Sequence, residues 1–89
     1  MEVKMKDSLE LIRIKLKLKK IESKFKGIQN HRFSIKVLGS REISGTRFYD
    51  ISFTDSIKGY VQRIFLTKDD LLINNRAETF MHDFVQENF

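Results

Sequence analysis

The side chains best suited to chemistry are few. The sequence has two histidines, His31 and His82, and no cysteine. His82 precedes Asp83, a pair that works as a ligand or acid–base couple only when a third group joins it. Zinc takes three or four ligands, and thiolates are absent. A surface histidine is the expectation. Asp69 and Asp70 are adjacent carboxylates, but they follow Thr67 at a predicted helix start, where capping accounts for them. No serine sits in the strained, glycine-flanked turn of a nucleophile elbow. The four glycines stand singly at 27, 39, 45 and 59, so they build no phosphate-cradling loop. The chain reads as a non-enzyme with no cofactor and no metal.

Positive charge is the remaining chemistry. Residues 1–41 hold 12 Lys/Arg against 4 Asp/Glu, a net of +8. Residues 42–89 hold 5 against 8, a net of −3. A basic front half suits a polyanion or an acidic protein surface. The two halves can equally attract each other within the fold or across a dimer. The candidate binding residues are Arg13, Lys17, Lys20 and Lys24, followed by Arg41 and Arg47. The guanidinium is a forked donor matched to phosphate or carboxylate, and each phosphate neutralised adds salt-dependent affinity.

Residues 11–28 must position the first four. Leu11, Ile14, Leu18, Ile21, Phe25 and Ile28 recur in steps of three and four, the seam of an α-helix. Asp7 and Ser8 are N-cap residues, Glu10 suits the first turn, and Gly27 offers a C-cap. A helix is therefore predicted from residue 9 to about residue 26, in a stretch rich in the helix formers Leu, Lys, Glu and Arg. Ile12, Ile14, Leu16 and Leu18 also alternate with Arg13, Lys15, Lys17 and Lys19. That is strand periodicity, and a strand over residues 10–20 stays open as the alternative. On the helical reading, Met5, Leu9, Ile12 and Leu16 form a second apolar stripe. Arg13, Lys17, Lys20 and Lys24 flank it on one side, and Lys4, Lys15, Lys19 and Lys26 on the other. The stripe either meets a partner or is covered by the chain itself.

From His31 the period becomes two. Phe33, Ile35 and Val37 alternate with Arg32, Ser34 and Lys36. Residues 39–45, with glycine at both ends, are predicted as a loop that carries Arg41, with Arg47 just beyond it. Residues 46–54 read as a second strand, residues 55–59 as a hairpin turn and residues 60–66 as a third strand. Short connections make these an antiparallel meander. Thr67 with Asp70, and Asn75 with Glu78, look like capping-box starts of two helices. The last of these carries Ala77, Phe80, Met81, Phe84 and Val85 at helical spacing. The order α-β-β-β-α-α is an α+β fold: an N-terminal helix, a three-stranded antiparallel sheet and C-terminal helices, one domain over residues 1–89. The predicted core is Leu11, Ile14, Leu18, Ile21, Phe25, Phe33, Ile35, Val37, Tyr49, Ile51, Phe53, Ile64, Leu66, Phe80 and Phe84.

Apolar residues make up 40% of the 89, with eight Phe and two Tyr. A chain of this length buries roughly 60–65% of its unfolded surface, so one core must support it. No run approaches the ~20 apolar residues of a membrane span. Met1-Glu2-Val3-Lys4 opens without an apolar leader. A cytoplasmic location is expected, and the lack of cysteine fits it.

The order α-β-β-β-α is that of double-stranded RNA-binding domains. That family opens its last helix with a lysine cluster, where this chain has Lys68-Asp69-Asp70 and Asn75-Arg76-Ala77-Glu78, which repel phosphate. The strands carry no aromatic motif of the RNP type. An N-terminal helix, then Phe33-Ser34-Ile35-Lys36-Val37-Leu38-Gly39, two more strands and closing helices resembles the layout of small phage-encoded anti-CRISPR proteins, inhibitors of RNA-guided nucleases. The resemblance covers most of the chain as architecture; as residues it is that one strand pattern. It implies a non-catalytic inhibitor of a host nucleoprotein machine, acting in the host cytoplasm if phage-encoded. Members with this layout are acidic and mimic DNA, whereas the front half here is strongly basic. A basic inhibitor holds guide RNA or an acidic surface of the nuclease. The expected partner is thus an acidic protein surface or a nucleoprotein complex, with RNA or DNA phosphates a further candidate. Two alternatives remain: a small nucleic-acid-binding regulator using the first helix, and an oligomeric adaptor or structural subunit, such as a homodimer, using the second stripe.

Overall fold

The three-and-four seam folds as a helix, α1 (Leu9–Ser23), in a computed structural model that describes residues 8–88. Ser8 caps it, its Oγ accepting from the Leu11 N–H at 3.1 Å. Ile14, Leu18 and Ile21 are buried, and so is Phe25 just past the helix. The strand alternative for residues 10–20 is excluded. Ile14 and Leu18 go to the core while Ile12 and Leu16 go to solvent, as 3.6 residues per turn requires. The α-helix stops at Ser23 rather than near Lys26. Tighter turns follow, with Lys24 N–H donating to Ile21 O at 3.1 Å and Phe25 N–H to Glu22 O at 3.0 Å. The helical path ends at Gly27, whose φ of +84° a side chain would resist.

Strands β1 (Phe33–Ile43), β2 (Thr46–Asp55) and β3 (Tyr60–Thr67) form an antiparallel sheet in the order β1-β2-β3. The loop expected over residues 39–45 is absent. Residues 39–43 extend β1, and the connection is the two-residue turn Ser44-Gly45. Both residues have positive φ, 51° and 82°, as in a type I′ hairpin turn whose twist matches the strands. Glycine 39 belongs instead to a register shift between Val37 and Gly39. Val37 pairs with Ile51, Gly39 with Asp50 and Arg41 with Phe48, so Leu38 is an extra residue. Because side chains alternate across a sheet, one inserted residue reverses the facing of everything after it.

Two helices follow, α2 (Lys68–Leu72) and α3 (Arg76–Glu87). The capping box of α2 forms: Asp70 N–H donates to Thr67 Oγ1 at 3.2 Å, and Thr67 N–H to Asp70 Oδ2 at 3.3 Å. The second expected box does not. Asn75 takes a left-handed φ of 54° and its side chain caps nothing. Its carbonyl serves instead, accepting from Thr79 N–H at 3.1 Å and Thr79 Oγ1 at 3.2 Å.

All three helices lie on one face of the sheet. There the predicted core assembles, with Leu11, Val37, Ile64 and Phe80 partly buried and the others buried. Leu71, Ala77, Met81 and Val85 complete it. Phe53 is its centre, with ring centroids 4.8 Å from Phe80 and 6.4 Å from Phe84. Among the described residues no helix covers the opposite face.

Asp55, at the end of β2, is buried and polar. Its carboxylate accepts from His31 Nδ1, and from the N–H groups of Arg32 at 3.2 Å, Ile57 at 3.2 Å and Lys58 at 3.3 Å. Burial pushes this carboxyl's pKa up, but the bonds from His31 and the three backbone groups outweigh it and hold the pKa below the ordinary value. His31 is therefore no surface residue: its side chain is 5% exposed, stacked on Phe33 with 5.2 Å between centroids. His82 is exposed on α3, its ring edge-on to Phe25.

Candidate interaction surfaces

The outward side of α1 carries the second stripe. Leu9, Ile12 and Leu16 are 72%, 41% and 60% exposed. Met5, its fourth expected member, lies outside the described residues. Arg13 and Lys20 border the stripe on one side and Lys19 on the other, all exposed. Lys17 and Lys24 turn away from it toward α3. Lys24 Nζ lies 2.8 Å from Glu78 Oε2. That bond is the main cause that draws the Glu78 carboxyl below its ordinary pKa; burial opposes it, and the charges of Lys24, His82 and Lys17 add to it. Part of the basic front half thus meets the acidic back half within the fold.

The two expected arginines are separated by the sheet. Arg41 does not sit in a loop. It is in β1 and places its guanidinium 5.5 Å from the centroid of Phe65, on the face without helices. Arg47 pairs in register with Glu42. It lines a cleft of about 360 Å³ with Glu10, Thr67, Lys68 and Asp69 at the end of the helix side. There the Tyr49 hydroxyl donates to Glu10. Burial, followed by that bond and the Glu10 charge, pushes the phenol up to about 12, with Arg47 pulling the other way. This bond ties the start of α1 to β2. The six sequence candidates therefore do not form one patch: Arg13 and Lys20 stay together, Lys17 and Lys24 face α3, and Arg41 and Arg47 lie on opposite faces.

A cluster that the sequence reading missed runs along the seam of α1 and β1. Lys15, Lys19 and Lys36 rim a groove of about 250 Å³ whose floor is Leu18, Ile35 and Val37. Lys15 and Lys19 share one flank of α1, which spacing alone shows. Lys36 joins them only through the docking of β1 against α1.

The His31–Asp55 pair has the orientation of a catalytic dyad, but its imidazole is enclosed and stacked, so it ties the segment before β1 to the β2–β3 turn. Among the described residues, no group of three or more His, Asp or Glu is placed to hold a metal ion. None of their helices is long and apolar enough to cross a membrane. No protein-family profile, curated protein or solved structure matches the chain.

Proposed function

We propose that this is a non-catalytic binding protein that sets α1 against an acidic surface of a larger partner and acts by occupying it. The supporting observation is the solvent-facing stripe of Leu9, Ile12 and Leu16 with Arg13, Lys19 and Lys20 along its margins. Single exposed apolar residues are ordinary, whereas three in register on one helix face form a patch. An apolar centre with a charged rim is the usual anatomy of a protein interface. An amphipathic helix laid in a groove is a standard recognition mode. The partner class is the one implied by the layout: an RNA-guided nuclease, blocked in assembly or target loading by a small inhibitor.

The test uses a purified guide-loaded nuclease of this class, mixed with the protein and followed by gel filtration and target cleavage. A stoichiometric complex with loss of cleavage is expected. Leu16→Asp, and Arg13→Glu with Lys20→Glu, should each abolish both. An intact complex with these variants would remove α1 from the interface, and no complex with any such nuclease would remove the partner class. A second reading, in which the stripe joins two copies, is favoured by its apolar character. It is opposed by the cations that an α1–α1 pair would bring together. A single species of monomer mass in light scattering excludes it.

A further inference from the structure

We propose that the open face of the sheet is a binding platform for single-stranded RNA. Strand register lays this face out in rows. Ser34, Thr54 and Val61 cross it first, then Lys36, Ser52 and Arg63, then Gly39, Asp50 and Phe65, and last Arg41, Phe48 and Thr67. Phe65, on the edge strand β3, is 47% exposed on the sheet's outer surface, and Phe48, on the central strand β2, is half-buried one row on. Arg41 lies against the Phe65 ring. Asp50 is the one acid in these rows, and Arg63 engages both of its oxygens, with Nε 3.3 Å from Oδ1. Lys36 and Arg41 are thus a surplus of positive charge, and Lys36 continues to the groove that Lys15 and Lys19 border.

These groups match one class of ligand. A flat aromatic ring with a guanidinium over it and an ammonium group nearby, on a broad sheet, stacks a base on the guanidinium plane or on the ring it uncovers and holds the phosphates. A duplex hides its base faces in its own stack, so the ring selects a single strand. An acidic protein surface satisfies the cations and leaves the rings without a flat partner. The Ser34 hydroxyl, and that of Thr54, which lies 3.4 Å from Ser52 Oγ, are on the same face and can meet a ribose 2′-OH, which favours RNA over DNA. The bulge at Leu38 creates the platform: without it, Arg41 would point toward the helices.

The test is fluorescence anisotropy with a labelled oligouridine of about a dozen nucleotides, a length within the usual site sizes. Binding is expected at low salt and should weaken steeply as salt rises. Phe65→Leu, which keeps an apolar residue and removes the ring, should weaken binding about tenfold. Arg41→Ala should lower the slope of log affinity against log salt by about one. The charge-matched Arg76→Ala, on α3 and off this face, should have a much smaller effect. Circular-dichroism melting confirms that each variant is folded. The proposal is overturned by no binding at low salt, by equal affinity for a duplex, by equal affinity for oligothymidine, or by displacement of the RNA by polyglutamate at matched charge. An unchanged Phe65→Leu also overturns it. It is independent of the α1 reading. A nuclease complex left intact in Leu16→Asp, with RNA binding weakened in Phe65→Leu, removes that reading alone; loss of the complex in Leu16→Asp, with RNA binding unchanged in Phe65→Leu, removes this one.

Discussion

Asp55 is a fully buried carboxylate held by four donors drawn from two separate segments. Replacing it with alanine removes one acceptor from the enclosed His31 imidazole and from the backbone N–H groups of Arg32, Ile57 and Lys58. Losing a partner costs an enclosed polar group about 1–3 kcal/mol, and Asp55→Ala should lower the unfolding free energy by about that much, read from urea denaturation. The same site sets a pH dependence. The folded pKa of Asp55 lies below its ordinary 3.8. A carboxyl depressed in this way supports the fold above its unfolded pKa and loses that support as pH falls through the folded value. Melting temperature should drop on acidification below about pH 4, and Asp55→Ala should flatten that drop. Lys24 and Glu78 show the contrast: their ion pair is solvent-facing, and such pairs contribute little because water and salt screen them.

The elements carry their own test, since α1 has two apolar faces with different work. Leu18 and Leu16 are the same residue type two positions apart, one buried and one exposed. Leu18→Ala opens a cavity and should cost about 2–5 kcal/mol. Leu16→Ala should stay within about 0.5 kcal/mol, while weakening any complex made by α1. Equal losses in chemical denaturation would mean that the outer stripe is part of the core. In β1 the decisive element is a single extra residue. Deleting Leu38 removes the bulge and forces residues 39–43 either to exchange faces or to break their pairing with β2. The deletion should lower both the melting temperature and the RNA affinity, and the amide shifts of residues 39–50 should move as a group.

For the whole molecule, the sheet separates the two proposed surfaces. The outer stripe of α1 lies beyond the helix layer, and Phe65 lies on the far side of the sheet. A partner on one does not obstruct the other. RNA and a protein partner should therefore bind together, each leaving the other's affinity within about twofold, since coupling requires differential contacts between sites. Isothermal titration of the oligouridine into the protein, with and without partner, measures this. Together the two proposals have one small domain contact both the RNA and the protein of a nucleoprotein.

The sequence by itself determined the order of the elements after residue 30 and the alternation of residues 33–37, 46–54 and 60–66, while residues 10–20 stayed open between a helical seam and a strand. Those properties depend on local periods of 3.6 and 2, which a linear reading detects. It also settled the inner face, because an apolar face must be buried somewhere. Local signals failed where they were weak or duplicated. Ser44-Gly45 is a turn without the usual Asn-Gly pair, so two glycines six residues apart read as a loop. Asn75 has the side chain of a cap, but its left-handed backbone turns that chain from the role. The pairing of His31 with Asp55, the grouping of Lys36 with Lys15 and Lys19, and the passage of Arg41 to the face of Phe65 were decided by tertiary structure alone. Each depends on strand register or on how α1 seats against β1. Those are properties of contacts between distant segments, and spacing along the chain does not encode them.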